Sequence, residues 1–116
     1  MKGYLLDTNI PSEMTRSRPA PQVEQWLDQV DDDALFLGVI SLSEILRGIT
    51  RLPESTRRTQ LQTWLDEILR LWFEDRILPV TQSIAERLGR WAGERDSKGL
   101  TLPVPDGLIA ATALEH

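Results

Sequence analysis

Three acidic side chains, Asp7, Glu44 and Asp106, stand where a small α/β protein would gather them for chemistry. Asp7 ends an apolar run, Glu44 lies shortly after a second apolar run, and Asp106 comes directly before a third. Carboxylates that are brought close together repel one another, and they stay ionised only if a cation neutralises them. A bound divalent ion orients a water, lowers its pKa and stabilises charge on a phosphodiester during in-line attack. The three acids therefore indicate metal-dependent hydrolysis.

Each acid taken alone also has an ordinary structural explanation. Ser41 and Glu44 match a capping box, and Glu44 is one helical turn from Arg47. Asp106 is placed to cap the helix that follows it. Asp7 is harder to explain, because an acid after a buried strand is costly unless something pairs it, although a cap or turn role stays open. Only the combination of the three acids favours a metal site.

Composition narrows the chemistry further. The chain has no cysteine, and its only histidine is His116, so disulfides, thiolate zinc sites and cysteine nucleophiles are excluded. A metal held by the remaining oxygen ligands should be a hard one, Mg²⁺ or Mn²⁺. The net charge of -5 argues against a protein coated in positive charge, but it leaves room for a local basic groove.

The elements that must position the acids alternate between strand and helix. Apolar runs predict strands that end at Asp7, that cover Leu35 to Ile40, and that cover Arg76 to Val80. Such alternation is typical of an α/β fold with a central parallel sheet and helices on both faces. Ligands of open α/β sheets bind at the carboxyl edge of the strands, which is where this pattern places the acids.

Helical spacing of apolar residues fills the intervals between the strands. The final helix, Gly107 to Leu114, is apolar almost all round, so we expect it to be buried, with Pro103 and Pro105 holding its approach extended. The other predicted helices are Ile10 to Met14 (capped by Thr8 or Asn9), Gln22 to Val30, a helix with the buried stripe Leu42, Ile45, Leu46 and Ile49, Ser55 to about Asp75, and a helix that Thr81 caps and Gly99 ends.

Three motifs in register resemble those of the PIN-domain family, and within it the VapC-type toxins of bacterial and archaeal toxin-antitoxin pairs. The first is Leu5-Leu6-Asp7-Thr8-Asn9 followed by Ser12-Glu13, and the second is Ser41-Leu42-Ser43-Glu44-Ile45 with Arg47-Gly48. The third runs from Pro103 through Asp106 to Ala113. Their order and separations agree with the family across almost the full chain.

The resemblance implies a three-layer α/β/α PIN-like domain that acts as a metal-dependent ribonuclease, cuts RNA and is silenced by a VapB-type antitoxin. It implies a homodimer. Asp7, Glu44 and Asp106 would be the metal ligands for Mg²⁺ or Mn²⁺, and Thr8 and Asn9 would be supporting polar residues. Because no apolar run is long enough to span a membrane and no signal peptide is evident, we expect a cytoplasmic protein.

The resemblance also has a departure. Members of the family usually continue past the third motif into a further strand and a fourth acid, whereas this sequence ends at His116. We expect residues 1–116 to form one domain that lacks its C-terminal segment. The alternative is a catalytically incomplete PIN scaffold that binds an antitoxin or RNA without cleaving it.

Two further alternatives come from the residues themselves. A receiver-like or phosphatase-like fold also places an aspartate after its first strand, but Asn9 stands where a second aspartate would be expected.

Arg16, Arg18, Arg47 and Arg51 are candidates for RNA contact, because arginine suits bidentate phosphate binding, or they are simply solvated. The tryptophans lie on helical stripes and indicate core or a dimer interface rather than RNA stacking.

Overall fold

A parallel sheet lies at the centre of the computed structural model, which describes residues 3–6, 11, 15 and 20–116. Its strands in this part of the chain are β1 (Tyr4–Leu5), β2 (Leu35–Gly38) and β3 (Ile77–Leu78), in the order β1-β2-β3. The predicted α/β class and parallel sheet are confirmed. Strand β2 is therefore central, with a parallel neighbour on each side.

The strand register fixes which ends meet. Tyr4 pairs with Leu35 and Leu37 pairs with Ile77. The amide of Leu6 donates to the carbonyl of Phe36 at 2.8 Å, so the pairing of β1 with β2 continues to the residue before Asp7. The carboxyl ends of both strands therefore lie at one edge of the sheet.

The helices occupy the predicted intervals, with ends that differ by a few residues from the predictions. A π-helical turn at Leu65–Leu69 joins the α-helical segments on either side of it without interruption. The helices are α1 (Pro21–Gln29), a 3₁₀ turn (Asp32–Ala34), α2 (Val39–Thr50), α3 (Thr56–Trp64), the π-helical turn (Leu65–Leu69), α4 (Arg70–Trp72), α5 (Gln82–Ser97) and α6 (Val104–Glu115). The predicted helix Ile10 to Met14 and its caps Thr8 and Asn9 lie outside the described residues, apart from Pro11, which is buried.

The core forms between β2 and the α3 to α4 segment. Leu35, Leu37, Leu65, Leu69 and Phe73 are fully buried there. They form one apolar cluster together with Leu6, which follows β1, and with residues of α2. Burying side chains of this size stabilises the fold by about 1.5 to 3 kcal/mol each. The cluster holds α2 against the sheet, which fixes the element that carries Glu44.

Two apolar residues that we predicted to be buried are exposed. Leu46 and Ile68 belong to the predicted stripes of their helices, yet 38% and 54% of their surfaces are accessible. In both helices the apolar stripe is wider than the surface that the neighbouring elements cover. Only the side of each stripe that faces β2 is buried.

The boundary between β2 and α2 also differs from the prediction. The strand ends at Gly38 and the helix begins at Val39, two residues before the predicted strand end at Ile40. Strands β1 and β3 span two residues each, so β2 has hydrogen-bonding partners over a short length only. The branched side chains of Val39 and Ile40 favour a strand, but a strand without partners is not formed.

The final helix begins earlier than predicted and is less buried. Pro103 is its N-cap and Pro105 lies in its first turn, where a missing amide hydrogen costs nothing. The prediction that Pro105 holds the chain extended is therefore wrong. Leu114 is 62% exposed, so the helix is not buried all round.

The end of α6 is tied to α5 by an ion pair. Arg87 on α5 donates to the carboxylate of Glu115 through two nitrogens, at 2.9 and 3.1 Å. The Arg87 guanidinium lowers the pKa of the Glu115 carboxyl below its usual 4.5. At the other end of α6, Gly107 lies so close to Leu88 on α5 that a side chain there would clash. These contacts fix the helix that carries Asp106.

Candidate active site

Glu44 is held at the side of a small cavity between α2 and α3. It lies in the second turn of α2 and is half-buried, whereas Ile45 and Ile49 of the same helix are buried in the core. The cavity has a volume of about 180 Å³. Its lining consists of Thr15, Glu44, Ile45, Gly48, Ile49, Leu61 and Trp64. Glu44 therefore presents a carboxylate beside an apolar hollow and near the surface.

The helix face next to Glu44 is open. Gly48 follows Glu44 by one turn, and a Cβ atom on Gly48 would meet no described atom within 4 Å. A glycine at this position can either leave the helix face open or allow close packing of a neighbouring helix. The observed space favours the open face.

The capping-box explanation for Glu44 is wrong. The N-cap of α2 is Gly38, and Ser41 already lies inside the first turn of the helix. Ser41 is fully buried, and its Oγ atom has no hydrogen-bond partner among the described groups. Leaving a buried hydroxyl unpaired costs about 1 to 3 kcal/mol. The two-residue shift of the helix start was not visible in the sequence, so this feature of Ser41 was missed.

Asp106 lies in the first turn of α6 and is exposed. Because Pro103 is the N-cap of this helix, the explanation of Asp106 as the capping residue is also wrong. A carboxylate in the first turn is stabilised by the positive end of the helix dipole. Asp106 is thus free of a capping role and open to solvent.

The two described acids are carried by neighbouring elements. Helix α2 and helix α6 are in contact, which places Glu44 and Asp106 on two helices packed against each other. Asp7, Thr8 and Asn9 lie outside the described residues, and Asp7 directly follows Leu6 at the end of the β1 pairing. Within residues 3–6, 11, 15 and 20–116, no three acidic or histidine side chains form a metal-binding group. The full trio therefore stays a prediction.

The available donors match the chemistry of a hard cation. Glu44 and Asp106 supply carboxylate oxygens, and Ser41 on the same helix as Glu44 supplies an unpaired hydroxyl. The sequence contains no cysteine, and its one histidine is the last residue. An all-oxygen donor set of this kind suits Mg²⁺ or Mn²⁺.

The predicted RNA-contact arginines fall into two groups. Arg47 is on α2 and Arg51 is the C-cap of that helix, and both are exposed, so their guanidinium groups can reach a ligand from solvent. Arg16 and Arg18 lie outside the described residues. Arg57 donates to the carbonyl of Thr15 at 3.2 Å, which fixes that residue at the cavity.

The tryptophans are partly buried, as expected for residues on the side of a core. Trp26, Trp64 and Trp72 pack against the apolar cluster. Trp64 also lines the cavity beside Glu44, a position that helical spacing did not reveal.

A comparison with protein-family models matches residues 4–116 to the PIN domain. The chain belongs to the PIN-domain family. The match includes the positions of all three predicted ligands, and the resemblance inferred from the motifs is confirmed.

Relatives of known name agree with this assignment. Toxin FitB from Neisseria gonorrhoeae is 31% identical over 112 residues, which cover 97% of this chain and 81% of FitB. The VapC ribonuclease Y4jK from Sinorhizobium fredii is 30% identical over 112 residues, covering 97% of this chain and 80% of that protein. This PIN domain is therefore similar to proteins named as toxins and as ribonucleases.

Solved structures show the same fold. The crystal structure of FitAcB from Neisseria gonorrhoeae superposes with a TM-score of 0.85 at 31% identity, covering 97% of this chain and 81% of that chain. VapBC2 from Rickettsia felis, bound to a DNA fragment from its promoter, gives a TM-score of 0.70 at 24% identity, covering 95% and 78%. The predicted PIN fold is confirmed. No helix among the described residues is long and apolar enough to cross a membrane.

Proposed function

We propose that this PIN domain is the toxin of a toxin-antitoxin pair and that it hydrolyses RNA phosphodiester bonds with Mg²⁺ or Mn²⁺. The observation that carries the proposal is the placement of Glu44 and Asp106 on two helices that contact each other, with Asp106 exposed in the first turn of its helix. Membership of the PIN family and similarity to VapC ribonucleases and to toxin FitB support the activity.

The three acids hold the cation in this proposal. Asp7, Glu44 and Asp106 are its ligands, and Thr8 and Asn9 support Asp7. When bound, the ion supplies an activated water and stabilises negative charge on the phosphate. Half-burial of Glu44 beside an apolar cavity limits water around its carboxylate, which strengthens its attraction for the cation.

Exposed arginines would hold the RNA backbone. Arg47 lies on the helix that carries Glu44, and Arg51 is the C-cap of that helix. Arg16 and Arg18 follow the first motif in sequence. The guanidinium group forms paired hydrogen bonds to phosphate oxygens. These residues position a polynucleotide without reading its sequence.

A VapB-type antitoxin is the proposed protein partner. Related PIN proteins were solved as FitAB and VapBC complexes, some of them bound to DNA. Apolar side chains are available for such contacts, since Ile68 and Leu71 are 54% and 64% exposed. We also propose that the toxin acts as a homodimer, as the family resemblance implies.

RNA cleavage by the purified chain tests the proposed function. With Mn²⁺ or Mg²⁺ present, the chain should cut a mixed pool of cellular RNA, and excess chelator should stop the reaction. Asp7→Asn, Glu44→Gln and Asp106→Asn should each lower the cleavage rate at least about 100-fold, because each removes a charged ligand. Ser43→Ala, an exposed change beside Glu44, should leave the rate unchanged.

Different results would point to different functions. Cleavage that persists in chelator would contradict the metal mechanism. Normal RNA or antitoxin binding with no cleavage under any metal would favour the incomplete scaffold. Full activity in all three folded acid variants would show that the site lies elsewhere.

A further inference from the structure

The buried hydroxyl of Ser41 has no partner among the described groups, in contrast to the other buried hydroxyl in the part of the chain that the structure describes. Ser41 has no accessible surface, and its Oγ atom makes no hydrogen bond among the described groups. Thr112 is equally buried, but its hydroxyl donates to the carbonyl of Leu108 at 2.7 Å. Buried polar groups are nearly always paired. Among the described groups, the Ser41 hydroxyl is therefore left without the partner that a buried hydroxyl normally has.

The position of Ser41 shows where that partner would be. Ser41 is the third residue after Gly38, which ends the central strand at the ligand-binding edge of the sheet. Glu44 follows three residues later, so the two side chains lie on neighbouring turns of one helix face. Gly38 caps α2 without a side chain, and the first amides of the helix also need acceptors. The unpaired hydroxyl of Ser41 thus lies on the same helix as the proposed cation ligand and one turn before it.

We propose that Ser41 is a positioning residue of the cation site. Its Oγ–H would donate a hydrogen bond to a water ligand of the bound cation, since the carboxylate ligands belong to the chain and are present with or without the ion. The inference rests on the proposed function, because it requires the carboxylate site at Glu44. It assigns to Ser41 the outer contact that orients a ligand, while the acids make the direct bonds to the ion.

The proposal has two consequences of opposite sign. In the metal-free protein the hydroxyl is an unpaired buried group, so removing it should not reduce stability. In the metal-bound protein the same hydroxyl orients a ligand, so removing it should weaken cation binding. If Ser41 instead made an ordinary structural hydrogen bond, removing its hydroxyl would lower the stability of the metal-free protein and would leave cation binding unchanged.

Titration calorimetry with MnCl₂ and thermal unfolding in chelator measure both effects on the full chain. Ser41→Ala should weaken Mn²⁺ affinity about tenfold or more, and it should leave the metal-free melting temperature unchanged or raise it by a few degrees. Ser41→Thr keeps the hydroxyl and should retain most of the affinity. Ser43→Ala removes an exposed hydroxyl from the same turn and should change neither quantity.

Glu44→Gln separates the failure of this inference from the failure of the proposed function. If the parent chain binds Mn²⁺, Glu44→Gln abolishes binding and Ser41→Ala binds as the parent does, the positioning role is wrong and the metal site stands. A lower melting temperature of metal-free Ser41→Ala would also overturn the inference, since it would reveal a structural partner. If the parent binds no Mn²⁺, both proposals fail together.

Discussion

Among single residues, Glu44 is a candidate ligand because of its surroundings and not only because it is acidic. Its carboxylate is half-buried beside an apolar cavity, with the open face of Gly48 one turn away. On the same helix, Ser41 is buried and unpaired, whereas Arg47 and Arg51 are exposed. Helix α2 and its C-cap thus carry a buried hydroxyl, a half-buried carboxylate and two exposed guanidinium groups. Such an arrangement suits a phosphodiester held at its surface by arginine and attacked near the acid.

Arginine contacts with RNA predict a change in salt dependence. Arg47→Ala and Arg51→Ala should each weaken binding of single-stranded RNA and reduce the slope of log K against log salt by about 0.7, the value for one released counterion. Fluorescence anisotropy at several salt concentrations measures this, with Glu44→Gln as background to prevent cleavage. Arg90→Ala on α5, also an exposed change, is the matched control. An unchanged slope in both α2 variants would place the RNA elsewhere.

At the scale of elements, α6 is fixed to α5 at both of its ends. Gly107 allows close approach to Leu88 near the start of α6, and Glu115 pairs with Arg87 near its end. Helix α6 also contacts α2, so these ties determine where Asp106 stands relative to Glu44. The positions of the two acids thus depend on contacts far from either carboxylate.

The pair of Arg87 and Glu115 predicts a pH-dependent contribution to stability. Arg87 lowers the pKa of Glu115 below 4.5, so the pair stabilises the fold fully above pH 4.5 and loses this effect as the pH falls through the lowered pKa. In urea unfolding, Glu115→Gln should be less stable than the parent at neutral pH, and the difference should shrink in acid. Glu94→Gln on α5 is the control for an exposed acid. A difference that is independent of pH would contradict the assignment.

Local sequence signals predicted several strands and helix ends correctly, whereas features that depend on distant contacts were not predicted. The apolar runs at Leu5 and Leu35 located their strands, and the Thr81 cap and the Gly99 end of α5 are confirmed, because these signals are local. The start of α2 was displaced by two residues, since strand length depends on partners that the sequence of β2 does not contain. That displacement hid the buried position of Ser41. Exposure of Ile68 depends on what packs nearby, which periodicity does not report.

At the scale of the whole molecule, the two edges of the sheet have different roles. At the amino edge, Arg76 donates to the carbonyl of Leu35 at 2.8 Å and lies 3.5 Å from Asp33, so that edge is closed by structural contacts. At the carboxyl edge, the chain leads to Asp7 and to the helix that carries Glu44, and Ser41 is left unpaired. Of the two edges, the carboxyl edge is therefore the one at which we propose the cation site.

The proposal that one cation is bound by acids from different elements is tested most directly by NMR. Substoichiometric Mn²⁺ broadens the amide signals of residues close to the bound ion. We predict that signals around Glu44 and Asp106 broaden together, while those around Asp33 and Arg76 at the amino edge stay sharp. Asp7→Asn should abolish the broadening at both acids. Broadening at only one of them, or mainly at the acidic turn Asp31 to Asp33, would contradict a shared cation site.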